Sequence, residues 1–207
     1  MSSITSKRSN ILPFLAIDML TRANDLKAKG NDIIHMDVGE PGFNTPGHIL
    51  KYAKTIIEEK KIGYTESIGT PELRKKISDH YKCWYDEEVD SEDIAVTAGA
   101  SGGFVLILLA IFDPGDTVVI MTPYYPAYVN ALKALNIKII YLEGDSKTSY
   151  QPTVEKLENI KNNIKGIIMA SPANPTGSSI NTNDLKNIAS WSKNNNVTII
   201  SDEIYHG

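Results

Sequence analysis

The chain has 207 residues, 42% hydrophobic and 22% charged, with a net charge of −4, which describes a globular protein rather than a disordered one. No basic block stands out, so nucleic acid and anionic membranes have no electrostatic footprint here. The longest apolar run, Phe104 to Phe112, is too short to span a bilayer and reads as a buried helix, and no signal region follows Met1. A single cysteine, Cys83, excludes an intrachain disulfide framework and reads as a packed helix residue. A cytoplasmic location is the expectation.

Residues 1–12 are polar and read as an arm. Pro13 opens a helical stretch to Lys29, with Leu15, Met19, Ala23 and Leu26 on one face and Gly30 as its stop. Ile33 to Val38 is a short extended segment leading into Gly39-Glu40-Pro41-Gly42. Thr45-Pro46 caps a helix to about Lys60, and Thr70-Pro71-Glu72 starts another through Tyr81, since proline suits the first helical position. From Asp93 the pattern changes. β-Branched runs at 94–97, 117–121, 137–141, 166–170 and 197–201 alternate with helical segments at 101–112, 124–135, 152–162 and 182–195. That alternation predicts an α/β domain with a largely parallel sheet, whose ligands bind at the carboxyl ends of the strands.

Four clusters lie at such ends. Gly99-Ala100-Ser101-Gly102-Gly103 can turn backbone N–H groups towards an anion at a helix N-terminus, or can be an ordinary tight turn. A dinucleotide site is disfavoured, because the glycines come late and the next strand ends Met121-Thr122-Pro123 without an acid. Tyr124, Tyr125 and Tyr128 follow the second run; an aromatic there can stack on a flat heterocycle or simply fill the core. Asn174 sits in Ser171-Pro172-Ala173-Asn174-Pro175-Thr176-Gly177, where it can cap the turn or meet a ligand. Asp202 closes the last run, with Tyr205 three residues on; a strand-end aspartate is either a helix cap or a charge partner.

These strings, in this order and together with Gly39–Pro46 and Gly63-Tyr64-Thr65…Gly69-Thr70-Pro71-Glu72, resemble the pyridoxal 5'-phosphate (PLP) dependent class I/II aminotransferases of the aspartate aminotransferase superfamily, fold type I. The resemblance covers the whole chain as about the first half of a member. It implies an incomplete PLP-transferase large domain at 46–207, with a mostly parallel sheet, and an arm and helix at 1–45 belonging to a small domain. It implies that Ala100 and Ser101 hold the phosphate, that Tyr125 lies over the ring, and that Asn174 and Tyr205 bond its phenolic oxygen. Asp202 would face the pyridine nitrogen, and that pairing makes the ring an electron sink. Asn174 and the Gly39 N–H would take the substrate carboxylate, and Tyr64 would reach the neighbouring subunit's PLP in a homodimer. Many relatives have aspartate where Gly42 stands.

The expected reaction moves an amino group between an amino acid and a 2-oxo acid; no metal, nucleic acid or membrane takes part. The family's Schiff-base lysine lies beyond Asp202, and no lysine follows Asp202 here. The chain alone is therefore expected to be inactive, from a truncated, split or decayed gene, with a separately encoded C-terminal half as a potential partner. The expected sheet would lose strands between the 94–97 and 166–170 runs, leaving 166–170 as an apolar edge. A non-catalytic PLP-binding regulatory module, and a PLP lyase or synthase on the same fold, are the competing readings.

Overall fold

A computed structural model describes residues 4–59 and 62–206, which divide into two compact units. The first comprises residues up to Pro13 together with Ala98 onward; the second is Phe14–Thr97.

Among its described residues the second unit holds three α-helices, α1 (Leu15–Ala28), α2 (Gly47–Glu59) and α3 (Pro71–Tyr85), and a 3-10 turn at Ser91–Asp93. At α3 the local chemistry is explicit. Thr70 caps the first turn by accepting from the Leu73 N–H at 3.4 Å, Pro71 occupies the first helical position, and Asp86 ends the helix in the left-handed region at φ 56°. Arg74 of α3 is buried, and its Nη1 donates to Ser91 O at 2.7 Å and Glu92 Oε1 at 3.1 Å, tying the helix to the chain that leaves it. Cys83 lies on α3 as expected, but exposed rather than packed. The Ile94–Thr97 run does not form a strand. Its β-branched residues favour extension, but a strand exists only through a ladder, and Val96 makes a single backbone bond, to Ile68 O at 2.9 Å.

The first unit is the expected α/β layer structure. Its elements run α4 (Gly99–Ile111), β1 (Thr117–Thr122), α5 (Pro126–Ala134), β2 (Lys138–Glu143), α6 (Val154–Glu158), β3 (Gly166–Ala170), α7 (Thr182–Asn195) and β4 (Thr198–Asp202). The four strands are parallel in the order β2-β1-β3-β4. Side-chain alternation divides the core between the two faces. Val118, Ile120, Ile168 and Ile200 point to one side and meet Leu108 of α4 and Tyr128, Val129 and Leu132 of α5. Val119, Ile167 and Met169 point to the other and meet Leu157 of α6 and Ile188 of α7. Near-continuous apolar strands are what a parallel sheet covered on both faces requires.

Three local expectations change. The edge strands are β2 and β4, not 166–170: β3 pairs on both sides, with Val118↔Gly166 and Gly166↔Thr198. The apolar run at 104–112 is helical, yet only Leu108 and Phe112 are buried, because one face of α4 meets the sheet and Leu106 and Leu109 remain about 60% and 59% exposed. The helix predicted over 152–162 shortens to Val154–Glu158. Among the described residues, no helix is long and apolar enough to cross a membrane.

Candidate active site

The carboxyl ends of β1, β3 and β4 lie side by side because the sheet is parallel and in register; Ala170 pairs with Asp202 directly. Each strand then delivers a polar or aromatic group. From β4 comes Asp202, half-buried, whose two oxygens both have partners. Oδ1 accepts from the Ile204 N–H at 3.1 Å, and Oδ2 accepts from the Tyr128 hydroxyl. The carboxylate is therefore held in one orientation.

Tyr128 was not singled out as a site residue by sequence. It stands at the third position of the helix that begins at Pro126, and only 4% of it is exposed. Phe104 packs against it with ring centroids 4.9 Å apart and planes tilted by 42°, and Tyr125 meets it edge-on at 5.6 Å. Burial pushes its phenol well above the ordinary value of 10.0. The hydrogen bond to Asp202 and the charge of Asp202 push the same way, with smaller contributions from Tyr125 and Tyr205. Tyr128 is thus a neutral donor to a carboxylate, set in an aromatic cluster.

After β3 comes the Asn174 loop. Ser171 N donates to Asp202 O at 3.2 Å, so the loop starts bonded to the strand that carries the aspartate. Ala173 N donates to Ser178 O at 2.9 Å and Gly177 N to Ala173 O at 2.7 Å, closing the turn; Gly177 takes φ +67°, a conformation that suits its missing Cβ. Asn174 Nδ2 donates to the Tyr205 hydroxyl at 3.4 Å. Beneath the loop, the buried Gln151 amide donates from one nitrogen to Ala170 O at 3.1 Å and to Ser178 O at 2.8 Å. Gln151 also escaped the sequence reading, since a glutamine ahead of a short helix carries no motif.

The first turn of α4 contains Ala100 and Ser101, both exposed. The residue that precedes the helix, Ala98, offers no side-chain cap, so the terminus relies on other acceptors for its N–H groups. Ser101 shares a face with Phe104, three residues on, and Phe104 meets Tyr128. In this way α4 is tied to the same cluster. The structure therefore brings Tyr125, Asn174, Asp202 and Tyr205 together with Tyr128. Gly39 and Tyr64 lie in the other unit, both exposed and outside regular structure. Among the described residues, no group of three or more His, Cys, Asp or Glu could hold a metal.

A family model described as aminotransferase class I and II matches residues 31–207. The chain belongs to the class I and II aminotransferases. It is 35% identical over 207 residues to valine–pyruvate aminotransferase of Mycobacterium tuberculosis, covering 100% of this chain and 53% of that protein. It is 37% identical over 205 residues to (5-formylfuran-3-yl)methyl phosphate transaminase of Methanocaldococcus jannaschii, covering 99% and 52%. Among solved structures, an aminotransferase from M. tuberculosis superposes with a TM-score of 0.95 at 34% identity, over 100% of this chain and 53% of that one. Aspartate aminotransferase from Thermus thermophilus with maleate superposes at 0.92 and 26% identity, over 99% and 54%. The chain thus spans about half the length of the aminotransferases it matches.

Proposed function

We propose that this chain supplies the cofactor-gripping half of a cytoplasmic PLP-dependent aminotransferase that moves an amino group between an amino acid and a 2-oxo acid. The observation that carries the reading is the convergence of Asp202, Tyr205 and Asn174 on adjacent strand ends, with Asp202 oriented by two donors. The donor set fits PLP. Asp202 offers a fixed carboxylate to the cationic ring nitrogen. Asn174 and Tyr205 offer an amide and a hydroxyl to the phenolic oxygen. Tyr125 offers an aromatic face, and Ala100 and Ser101 offer a helix N-terminus and a hydroxyl to the phosphate. When bound, PLP supplies an electron sink for charge developing at the amino acid's α-carbon.

The chain's own contribution is to hold and orient. Tyr128 and Ile204 keep Asp202 aimed, so its charge needs little reorganisation when it meets a cation. Asn174 offers an amide to the substrate carboxylate; the family resemblance assigns a donor role to the Gly39 N–H as well. Tyr64 would act from a neighbouring subunit of a homodimer. Within these 207 residues no lysine follows Asp202. These 207 residues taken alone are therefore proposed to bind PLP reversibly without turnover.

The test combines PLP titration by absorbance with borohydride reduction and an assay on 2-oxoglutarate and a panel of amino acids. Saturable binding that Asp202→Ala weakens, no cofactor fixed at any single lysine, and no turnover are expected. Failure to bind PLP overturns the cofactor reading. Stoichiometric fixation at one lysine, or turnover within tenfold of about 10 per second, overturns the inactivity.

A further inference from the structure

We propose that Gln151 is the positioning residue for Asn174: its amide clasps the two ends of the 171–177 loop and so sets where the Asn174 side chain stands. Gln151 immediately precedes Pro152, which is fully buried, and lies just ahead of α6; only 5% of it is exposed. Its Nε2 reaches Ala170 O, the last residue of β3, at 3.1 Å. The same nitrogen reaches Ser178 O at 2.8 Å and Ser178 Oγ at 3.2 Å, at the far end of the loop. One –NH2 group has two hydrogens, so one goes to each end, and the Ser178 hydroxyl shares the second. Two facing carbonyl oxygens also decide the orientation of the amide, because its own oxygen could not sit between them.

The chemistry is specific to an amide. A carboxylate of the same size has no N–H and would press a buried charge against two carbonyls. An apolar side chain of similar length would leave the inward-facing Ala170 and Ser178 carbonyls one donor short. The loop's remaining internal bonds, Ala173 N to Ser178 O and Gly177 N to Ala173 O, close the turn upon itself. They do not tie Ser178 back to the end of β3, which the Gln151 amide does; alongside it, Ser171 Oγ accepts from the Ile180 N–H at 3.1 Å, one residue beyond β3 and two beyond Ser178. Ser178 Oγ is further linked to Thr176 Oγ1 at 2.8 Å, which carries the clasp into the residue two after Asn174.

Two measurements decide it. In the first, amide hydrogen exchange is followed in the wild-type chain, in Q151M and in Q151N. If Gln151 clasps the loop, exchange at Ala173 and Gly177 rises roughly tenfold or more, the loss of about one hydrogen bond's local protection, while Ile167 and Ile168 of β3 change less than about twofold. Unchanged loop amides, or equal acceleration in loop and strand, overturn the inference. Should Q151M fail to fold, Q151N, which keeps a polar amide one carbon short, carries the same comparison. The second measurement rests on the cofactor reading. PLP and 3-deoxypyridoxal phosphate, which lacks the phenolic oxygen, are titrated in parallel. The wild-type chain should prefer PLP by more than roughly fivefold, since Asn174 and Tyr205 each offer the phenolic oxygen a hydrogen bond. Asn174→Ala and Q151M should each lower that preference by roughly fivefold, the weight of one net hydrogen bond, and the double variant should lose no more. A Q151M chain that binds both ligands more weakly but keeps the preference overturns the positioning role. A wild-type chain that binds neither ligand overturns the cofactor reading instead, and the exchange result still decides whether Gln151 holds the loop.

Discussion

Removing the Tyr128 hydroxyl and the Asp202 carboxylate, singly and together, tests whether the aromatic cluster and the strand-end charge act as one unit. Tyr128→Phe removes a hydrogen bond to a charged group, worth about 1.5–3 kcal/mol. Asp202 is half-buried, so water can take the phenol's place at Oδ2, and the lower end of that range applies. Asp202→Ala instead strands a hydroxyl on a side chain only 4% exposed, which costs about 1–3 kcal/mol, and also frees the Ile204 N–H. In the double variant no phenol is orphaned. Its cost should fall short of the sum of the singles by about 1–2 kcal/mol, within the range found for groups in contact. The chain has two tryptophans, Trp84 on α3 in one unit and Trp191 on α7 in the other. Urea unfolding followed by fluorescence in a Trp84→Phe background therefore reports the sheet-bearing unit alone. Additivity within about 0.5 kcal/mol would refute the coupling, and with it the claim that Tyr128 orients Asp202.

Alkaline pH provides an independent check on the same pair. The Tyr128 phenol is raised in the native state, so the folded form keeps its proton where the unfolded form has lost it. Its contribution is fully present below the unfolded value of 10.0 and falls as pH rises beyond it, by about 1.4 kcal/mol per unit; Tyr128→Phe should flatten that slope in urea melts above pH 10.0. In the core, Ile167→Ala removes a side chain with no exposure from a strand paired on both sides, and should cost about 2–5 kcal/mol by chemical denaturation, a smaller loss indicating that the site collapses. At Gly166 an added methyl would fall 2.3 Å from Phe112 Cζ, so Gly166→Ala should cost about 1–3 kcal/mol, and Phe112→Leu should recover part of it. On the surface, Asn181→Ala deletes the cap that accepts from the Asp184 N–H at 2.9 Å; a loss of about 1 kcal/mol is expected, and no change would mean the α7 terminus finds other acceptors.

Local sequence determined most of the elements of this protein. The β-branched runs at 117–121, 137–141, 166–170 and 197–201 lie within a residue or two of β1 to β4, because strands buried on both faces must be apolar throughout. The helix start at Pro71 was legible for an equally local reason: proline fixes φ and gives up an N–H that has no partner there; the segment expected from 124 likewise begins at a proline, Pro126. The motif residues Asn174, Asp202 and Tyr205 stood out in the sequence because their types and order resemble those of a family; their roles at a cofactor are proposals. What local pattern could not decide was anything that needs a partner far along the chain. Ile94–Thr97 has the composition of a strand and no ladder to join. The edges fell at β2 and β4, not at 166–170, because strand order is a property of the assembled sheet. Tyr128 looked like one of three interchangeable tyrosines until the fold set it against Asp202, 74 residues away. Gln151 had no signal at all, because its meaning lies in two carbonyls 19 and 27 residues downstream that only the folded sheet brings within reach of one amide. A hydrophobic run advertises its state through its own neighbours, whereas a single polar side chain acquires a role only from the groups that tertiary structure places around it.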